Sequence, residues 1–482
     1  MRRFFVKNLL FLITVNLLVK PVWVLLIDRT VQNKVGHASY GTYQALLSVA
    51  IIFQILLDFG LVYYNTRILA QDPKRIKDIF PAMLSTRLLF IIGYLLAGFT
   101  AGWMLGYRGW ELSLLGGVLL IQSFNSLLLF IRSNVSALHK FKADSVLSVI
   151  DRLLMIILCG SLLLYPVTAE RFGIEWFVGA QIVCYAIAIA IAFTVLRKIS
   201  GITFRLNIDT TEIRKIIRES LPYATLVFMM AIHMRCDTIL VERIAGKEQA
   251  GIYAAGYRLL DVGNNMFGLM FAGILLPLFG RMLSQKENTA PIVRVSVNIL
   301  LPFSFVVAII AACYGTEIMT ALYHDAGSYE GDVFGWLMGA FPAFSMMYIF
   351  STLLTANGNL KLLNYVAVAG VLVNITLNLL LIRQNLALGA AIATCITQSF
   401  LAVCYITLSA KKLKLAIDSK WLAAHAGFIF LSAASGYGLM QLDMNWIFSL
   451  LLTAALCVGY MFLFRFVSVT AIKQLASNKT SA

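Results

Sequence analysis

The sequence predicts an all-α integral membrane protein, on three observations. Of its 482 residues, 60% are hydrophobic and only 13% are charged, against roughly half and a quarter in a soluble domain. About 14 apolar runs can be placed, each long enough to cross, as a helix of roughly 20 residues, a hydrocarbon core about 30 Å thick. A glycine motif recurs at an offset of 210 residues, dividing the runs into two six-helix repeats and two further C-terminal helices.

The runs lie at 8–27, 43–64, 82–104, 112–131, 146–165, 174–196, 220–241, 250–279, 296–314, 333–356, 362–382, 387–409, 421–440 and 446–465. Met1-Arg2-Arg3 before the first run resembles the start of a signal peptide. Lys20-Pro21 stands where a small-residue cleavage site belongs, however, and apolar residues resume to Ile27, so this is read as span 1. The Lys/Arg distribution tests the count, because cytoplasmic loops should be the richer ones. With the N-terminus inside, and Arg465 at the inner end of the last span counted with the tail, the cytoplasmic segments carry 27 Lys/Arg and the outer loops 7. One span more or fewer would invert the downstream half of that pattern. Trp23, Trp103, Trp110, Trp176, Trp336 and Trp446 all fall at outer ends, as an interfacial belt requires. Both termini are therefore expected in the cytoplasm. The net charge of +16 reads as topology rather than as a nucleic-acid site. The seven cysteines lie in apolar stretches with no C-x-x-C pair and read as buried hydrophobes.

Four regions follow: an N-terminal lobe at 1–200 (spans 1–6), a cytoplasmic linker at 201–219, a C-terminal lobe at 220–410 (spans 7–12), and 411–482 with spans 13–14 and a tail. The linker holds Asp209-Thr210-Thr211-Glu212 before Ile213, Ile216 and Ile217, the pattern of a capped helix with one apolar face. The longest outer loop, Gly315 to Asp332, has about 18 residues, short for a folded external domain. Gly36-x4-Gly41-x-Tyr43 precedes span 2 and Gly246-x4-Gly251-x-Tyr253 precedes span 8. Six is even, so the halves enter the membrane in the same direction. They form a parallel repeat about the membrane normal, the plan of two-lobed transporters with a central cavity.

Ionisable residues inside spans are costly and are functional candidates by default. Asp58, Arg87, Asp151 and Arg152 lie near the cytoplasmic ends of spans 2, 3 and 5, where a substrate role competes with snorkelling or a structural ion pair. Lys20, Arg235 and Arg258 share a different depth, roughly 11 Å in from the outer helix ends. Spans 1 and 7 are repeat equivalents, so three converging cations would make an anion site, with Asp237 and Asp261 as supporting or ion-coupling groups. The competing reading is a closed Arg/Asp network that only ties spans 7 and 8 together. Lys20 has no acidic neighbour on its own helix and is the strongest single candidate. Pro21, Pro277, Pro302 and Pro342 interrupt spans, as hinges or as packing features.

No P-loop, G-x-S-x-G or H-E-x-x-H motif occurs, so neither catalysis nor a cofactor or metal is expected. At this point the residues resemble a known family. Leu57-Asp58-Phe59-Gly60-Leu61 with Arg67, the two Gly-x4-Gly-x-Tyr loops, Gly389-Ala390-Ala391-Ile392-Ala393-Thr394 opening span 12 and the six-plus-six-plus-two span count resemble the polysaccharide-unit flippases. These are O-antigen (Wzx-type) transporters of the multidrug/oligosaccharidyl-lipid/polysaccharide exporter superfamily. The resemblance implies two lobes around a cationic cavity in the bacterial inner membrane. It implies as substrate an undecaprenyl-pyrophosphate-linked oligosaccharide, moved from inner to outer leaflet for O-antigen or capsule synthesis by alternating access, with coupling to H+ or Na+ or to the membrane potential. A drug/cation antiporter of the same superfamily would need an acidic, aromatic-lined cavity, and a glycan polymerase or ligase a large outer loop.

Overall fold

The computed structural model describes residues 18–58 except Lys20, together with Leu61, Leu69, 75–202 except 139, and 231–466 except 233, 414, 416 and 417. Every element among these is helical. Among the described residues nine helices are long and apolar enough to cross a membrane, one of them long enough to do so twice. The apolar runs recur as α3 (Ile76–Met104), α4 (Trp110–Ala137), α8 (Ile174–Ser200), α10 (Lys247–Ser284), α11 (Ala290–Leu322), α14 (Leu360–Leu413), α15 (Ser419–Met440) and α16 (Trp446–Leu463). Exclusion of water explains the agreement: in hydrocarbon the backbone can satisfy its polar groups only by closing on itself.

The differences lie where a run is bent, broken or lengthened. The first outer loop is helical: a π-helical turn, Trp23–Asp28, leads into α1 (Arg29–Ile52), which kinks at Gly36 with φ 81°. After α1 comes a short α2 (Ile55–Asp58). Span 5 is split into α5 (Phe141–Leu147) and α6 (Ile150–Leu164), with Asp151 in the first turn of the second piece; α7 (Pro166–Arg171) follows. A further helix, α9, runs over 234–245. Span 10 is α12 (Ser328–Gly339) and α13 (Phe341–Ala356), with Pro342 in the first turn of α13, where a proline needs no amide partner. Pro302 leaves α11 continuous, and its one non-helical residue is Tyr314. The expected outer loop from Gly315 to Asp332 shrinks to 323–327, because α11 and α12 both extend. A Cβ on Gly315 would stand 2.7 Å from the Gly331 carbonyl oxygen, so the bare glycines let the two helices meet beyond the spans. Spans 11 and 12 form one hairpin, α14, reversing at Leu386 with φ 53°.

The chain divides into two compact units, 1–254 and 255–482. The division falls inside α10, whereas the anticipated lobe boundary, the linker at 201–219, lies almost wholly outside the described residues. In the first unit α4 packs against α1, α3 and α8, and Phe80 stacks on Phe130 at 5.6 Å. In the second, α11 packs on α12 and α13, and the α14 hairpin covers those two. The two helices beyond the repeats dock on α11 through Trp421 Nε1, which donates to Asn298 Oδ1 at 2.7 Å, and through Tyr314 and Thr453, whose hydroxyls are 3.1 Å apart.

Candidate functional site

Polar side chains buried among these helices form several separate groups, and the residues singled out from sequence are shared among them. Arg87, on α3, is 1% exposed. Its guanidinium pairs with Asp58 of α2, donates to the Ser126 carbonyl at 2.8 Å and lies 5.5 Å from the Phe130 ring centre. Its three partners stand on two other helices, α2 and α4, so the side chain ties α3 to both.

Arg152, on α6, is half-buried. Its Nε stands 3.4 Å from Asp151, its guanidinium carbon 5.3 Å from the Trp23 ring centre, and its Nη2 3.4 Å from the Tyr185 hydroxyl. Trp23 stacks on Phe177, which meets Tyr43 edge-on, and Gln181 donates to the Tyr43 hydroxyl at 3.2 Å. The π-helical turn and the break before α6 both border this group, and irregular helix at such depth is found where side chains must be aimed. Asp28, which ends the π-helical turn and which the sequence reading left in a loop, is buried and accepts from the Tyr40 hydroxyl at 2.7 Å. The signal that could have found it is its place seven residues, about two helical turns, after Pro21.

Of the three cations expected to share one depth, Lys20 lies outside the described residues. Arg235 is half-buried on α9, two residues before the buried Asp237, which accepts from the Tyr253 hydroxyl at 3.1 Å. Arg258 and Asp261 are half-buried, one turn apart on α10 in the second unit. In that unit the Tyr348 hydroxyl donates to the Asn264 carbonyl at 3.1 Å.

A further group stands at the start of α4 and the junction of α9 with α10. Glu242 is buried. Its carboxylate accepts from the Tyr107 hydroxyl at 3.2 Å and from Arg243 Nε at 3.0 Å, and the Arg243 guanidinium lies over the Tyr107 ring at 3.6 Å. Burial pushes the Glu242 carboxyl above its ordinary value, with Arg243 opposing the shift. Beside it, Lys247 is ion-paired with Glu111. Among the described residues no cluster of three metal-ligating side chains occurs.

The two glycine motifs meet in space. Gly36 and Gly246 both have positive φ, 81° and 96°. A Cβ on Gly41 would clash with the Lys247 carbonyl oxygen and lie 2.5 Å from the Gly251 nitrogen, and one on Gly251 would clash with the His37 carbonyl oxygen. His37 and Lys247 are themselves 210 residues apart, so the contact is reciprocal, as repeat-related segments crossing at a local two-fold axis require.

These features accompany clear similarities to known proteins. In the solved structure titled lipid II flippase MurJ, inward closed conformation, the fold agrees over 96% of this chain and 98% of that one, with a TM-score of 0.72 at 14% identity. An inward-facing multidrug resistance MATE family transporter of the MOP superfamily matches over 83% and 94%, with TM-score 0.65 and 14% identity. A MOP superfamily transporter from Pyrococcus furiosus, whose title reports a reversed polarity of its binding pocket, matches over 85% and 95%, with TM-score 0.57 and 13% identity. In sequence, an uncharacterized membrane protein of Methanocaldococcus jannaschii is 25% identical over 374 residues, 75% of this chain and 88% of its own length. Residues 5–283, more than half the chain, match the family described as polysaccharide biosynthesis protein. The chain is a multi-pass membrane protein with a MurJ- and MATE-like fold, and it belongs to the polysaccharide biosynthesis protein family.

Proposed function

We propose that this protein is a flippase that carries an undecaprenyl-pyrophosphate-linked oligosaccharide across the bacterial inner membrane by alternating access, with Lys20, Arg235 and Arg258 holding the pyrophosphate. The observation that carries this reading is the family match joined to the three cations that the sequence sets at one depth. Lys20 has no acidic neighbour on its helix, and all three cations sit on helices that the repeat relates or adjoins. A pyrophosphate in low dielectric needs charge compensation and hydrogen-bond donors, which Lys and Arg supply, while a prenyl tail can stay in lipid. Arg152 is a second contact of the same kind; Arg87 serves the fold. Asp237 and Asp261 position the neighbouring arginines. The coupling ion is H+ or Na+. Drug/cation antiport is the competing reading, supported by the similarity to the MATE transporters.

The test is binding of undecaprenyl pyrophosphate to the purified full chain in lipid nanodiscs. Wild type should bind, Lys20→Ala should lose at least ten-fold in affinity, and Lys20→Arg should retain part of it. In a host deleted for the gene, Lys20→Ala should leave surface polysaccharide absent at normal protein abundance. Equal binding by wild type and Lys20→Ala would overturn the assignment. Tight binding of an organic cation in place of the pyrophosphate lipid would establish the antiporter.

A further inference from the structure

A structural ion pair ordinarily buries both of its members, because burying one alone leaves an uncompensated charge. The pair at the end of α9 does not: the Glu242 side chain is 2% exposed and that of Arg243 31%. Arg243 already reaches solvent and lies over the Tyr107 ring at 3.6 Å, so it keeps favourable contacts when the carboxyl is neutral. Glu242 Oε2 accepts from the Tyr107 hydroxyl and from Arg243 Nε, at 3.2 and 3.0 Å. A proton on Oε1 would leave Oε2 a carbonyl oxygen, which accepts the same two bonds. The site is therefore satisfied with the proton and without it, and water stands one side chain away. Two further charged groups act on the carboxyl, Lys247 of α10 and Glu111 of α4, which are paired with each other and pull in opposite directions. Burial outweighs the attached donors and raises Glu242 above its ordinary 4.5.

The same helix carries Arg235. α9 is unbroken over 234–245 and lies within the first compact unit. Seven residues are about two turns, so Arg235 and Glu242 share one face of it, about 10 Å apart along its axis. At an effective dielectric of about 20, two unit charges at that distance change each other's binding roughly ten-fold. An anion held at Arg235 therefore favours protonated Glu242, and by reciprocity the proton favours the anion.

We infer that Glu242 is a proton-binding site whose occupancy is linked through α9 to the binding of a pyrophosphate at Arg235. The proton passes from water onto Glu242 Oε1, the carboxylate becomes a neutral acid, and no other bond changes. The link rests on the transport reading, in which it makes H+ rather than Na+ the coupled ion; the proton site does not.

Infrared difference spectra between low and high pH, taken on the purified full chain in lipid nanodiscs in H2O and D2O, test the site. Wild type should show a deuterium-sensitive band of a protonated carboxyl that is lost as pH rises through the window above 4.5. Glu242→Gln, whose amide oxygen can keep both hydrogen bonds, should lack that band. Tyr107→Phe removes a donor to the charged form and should move the loss to higher pH. Identical spectra for wild type and Glu242→Gln would overturn the site. So would a titration unmoved in Tyr107→Phe, which decides the matter if the glutamine variant fails to accumulate. Binding of undecaprenyl pyrophosphate in the same nanodiscs tests the link. As pH rises through that window, wild type should lose about ten-fold more affinity than Glu242→Gln, the ligand's own titration being common to both. Equal pH dependence in the two proteins would overturn the link. Absence of binding to either at any pH would remove the link together with the transport reading and leave the infrared result standing.

Discussion

Removing Asp58 should damage the protein more than removing the arginine it faces. Arg87 is 1% exposed, while Asp58 is 37% exposed, so the two members of the pair stand in different surroundings. Asp58→Ala leaves a buried guanidinium with, among the described residues, the Ser126 carbonyl and the Phe130 face. Breaking a buried pair in this way costs about 3–5 kcal/mol, reduced here to about 2–4 kcal/mol because water reaches the Asp58 side. Arg87→Met removes the buried charge and keeps most of the volume, leaving a carboxylate that water can solvate, at a cost of about 1 kcal/mol. The double variant should therefore match Arg87→Met and be more stable than Asp58→Ala. Reversible unfolding in mixed micelles titrated with dodecyl sulfate measures the three, at ten-fold in the equilibrium constant for about each 1.4 kcal/mol. If Arg87→Met proved the worst of the three, or kept full stability while losing undecaprenyl pyrophosphate binding, the clasp would be wrong and Arg87 would belong with the ligand contacts.

Other outcomes follow from the same geometry. Glu242, raised by burial, holds a proton more readily in the folded protein than when solvated. Its contribution to stability is therefore largest below the ordinary value of 4.5 and is lost as pH rises through the window above it; micellar stability should fall over that window, and Glu242→Gln should flatten the profile. Gly389→Val should sharply lower protein abundance, because a Cβ there would run into the Leu381 carbonyl and stand 2.8 Å from the Ile382 nitrogen. His425 is buried between Trp421 and Phe466, its ring 4.6 Å and 4.2 Å from theirs, and its Nε2 is unpartnered among the described residues. His425→Phe should accordingly change micellar stability by no more than about 1 kcal/mol in either direction, and a loss above about 3 kcal/mol would disprove the packing account. Reporter fusions after Gly201 and Asp418 should read cytoplasmic and one after Tyr329 external; a cytoplasmic signal at Tyr329 would remove the fourteen-span topology.

The apolar runs were legible because twenty successive residues must share one property to lie in hydrocarbon, which composition alone reveals. The repeat was legible for a different reason: Gly36 and Gly246 need positive φ, and a position that admits little but glycine marks itself in a sequence. That Gly41 and Gly251 touch was not legible, since nothing in either motif says that it faces the other. Nor was the division of span 5 before Ile150, where no proline or glycine stands to mark it. Asp28 and Glu242 were missed because each sits one or two residues outside an apolar run, where a charge is ordinarily solvated. Arg87 shows the converse: its depth made it a candidate, and its pairing with Asp58 and Ser126 is visible only in the geometry.

The reversal at Leu386 bears on how the chain enters the membrane. Residues 360–413 form two helical arms joined with a single non-helical residue between them, each about 39 Å long at 1.5 Å per residue. Tyr329 fastens the bend, its hydroxyl donating to the Asn385 carbonyl and accepting from the Leu388 amide at 3.1 and 3.2 Å. So tight a bend leaves no stretch of chain to wait on the far side while the second arm is synthesised. The two arms are accordingly expected to pass from the insertion machinery into lipid as one folded pair, with α12 receiving the bend through Tyr329. Lengthening the bend with a flexible insert would let the arms enter one at a time, which makes residues 384–388 the place where assembly order, rather than final stability, is decided.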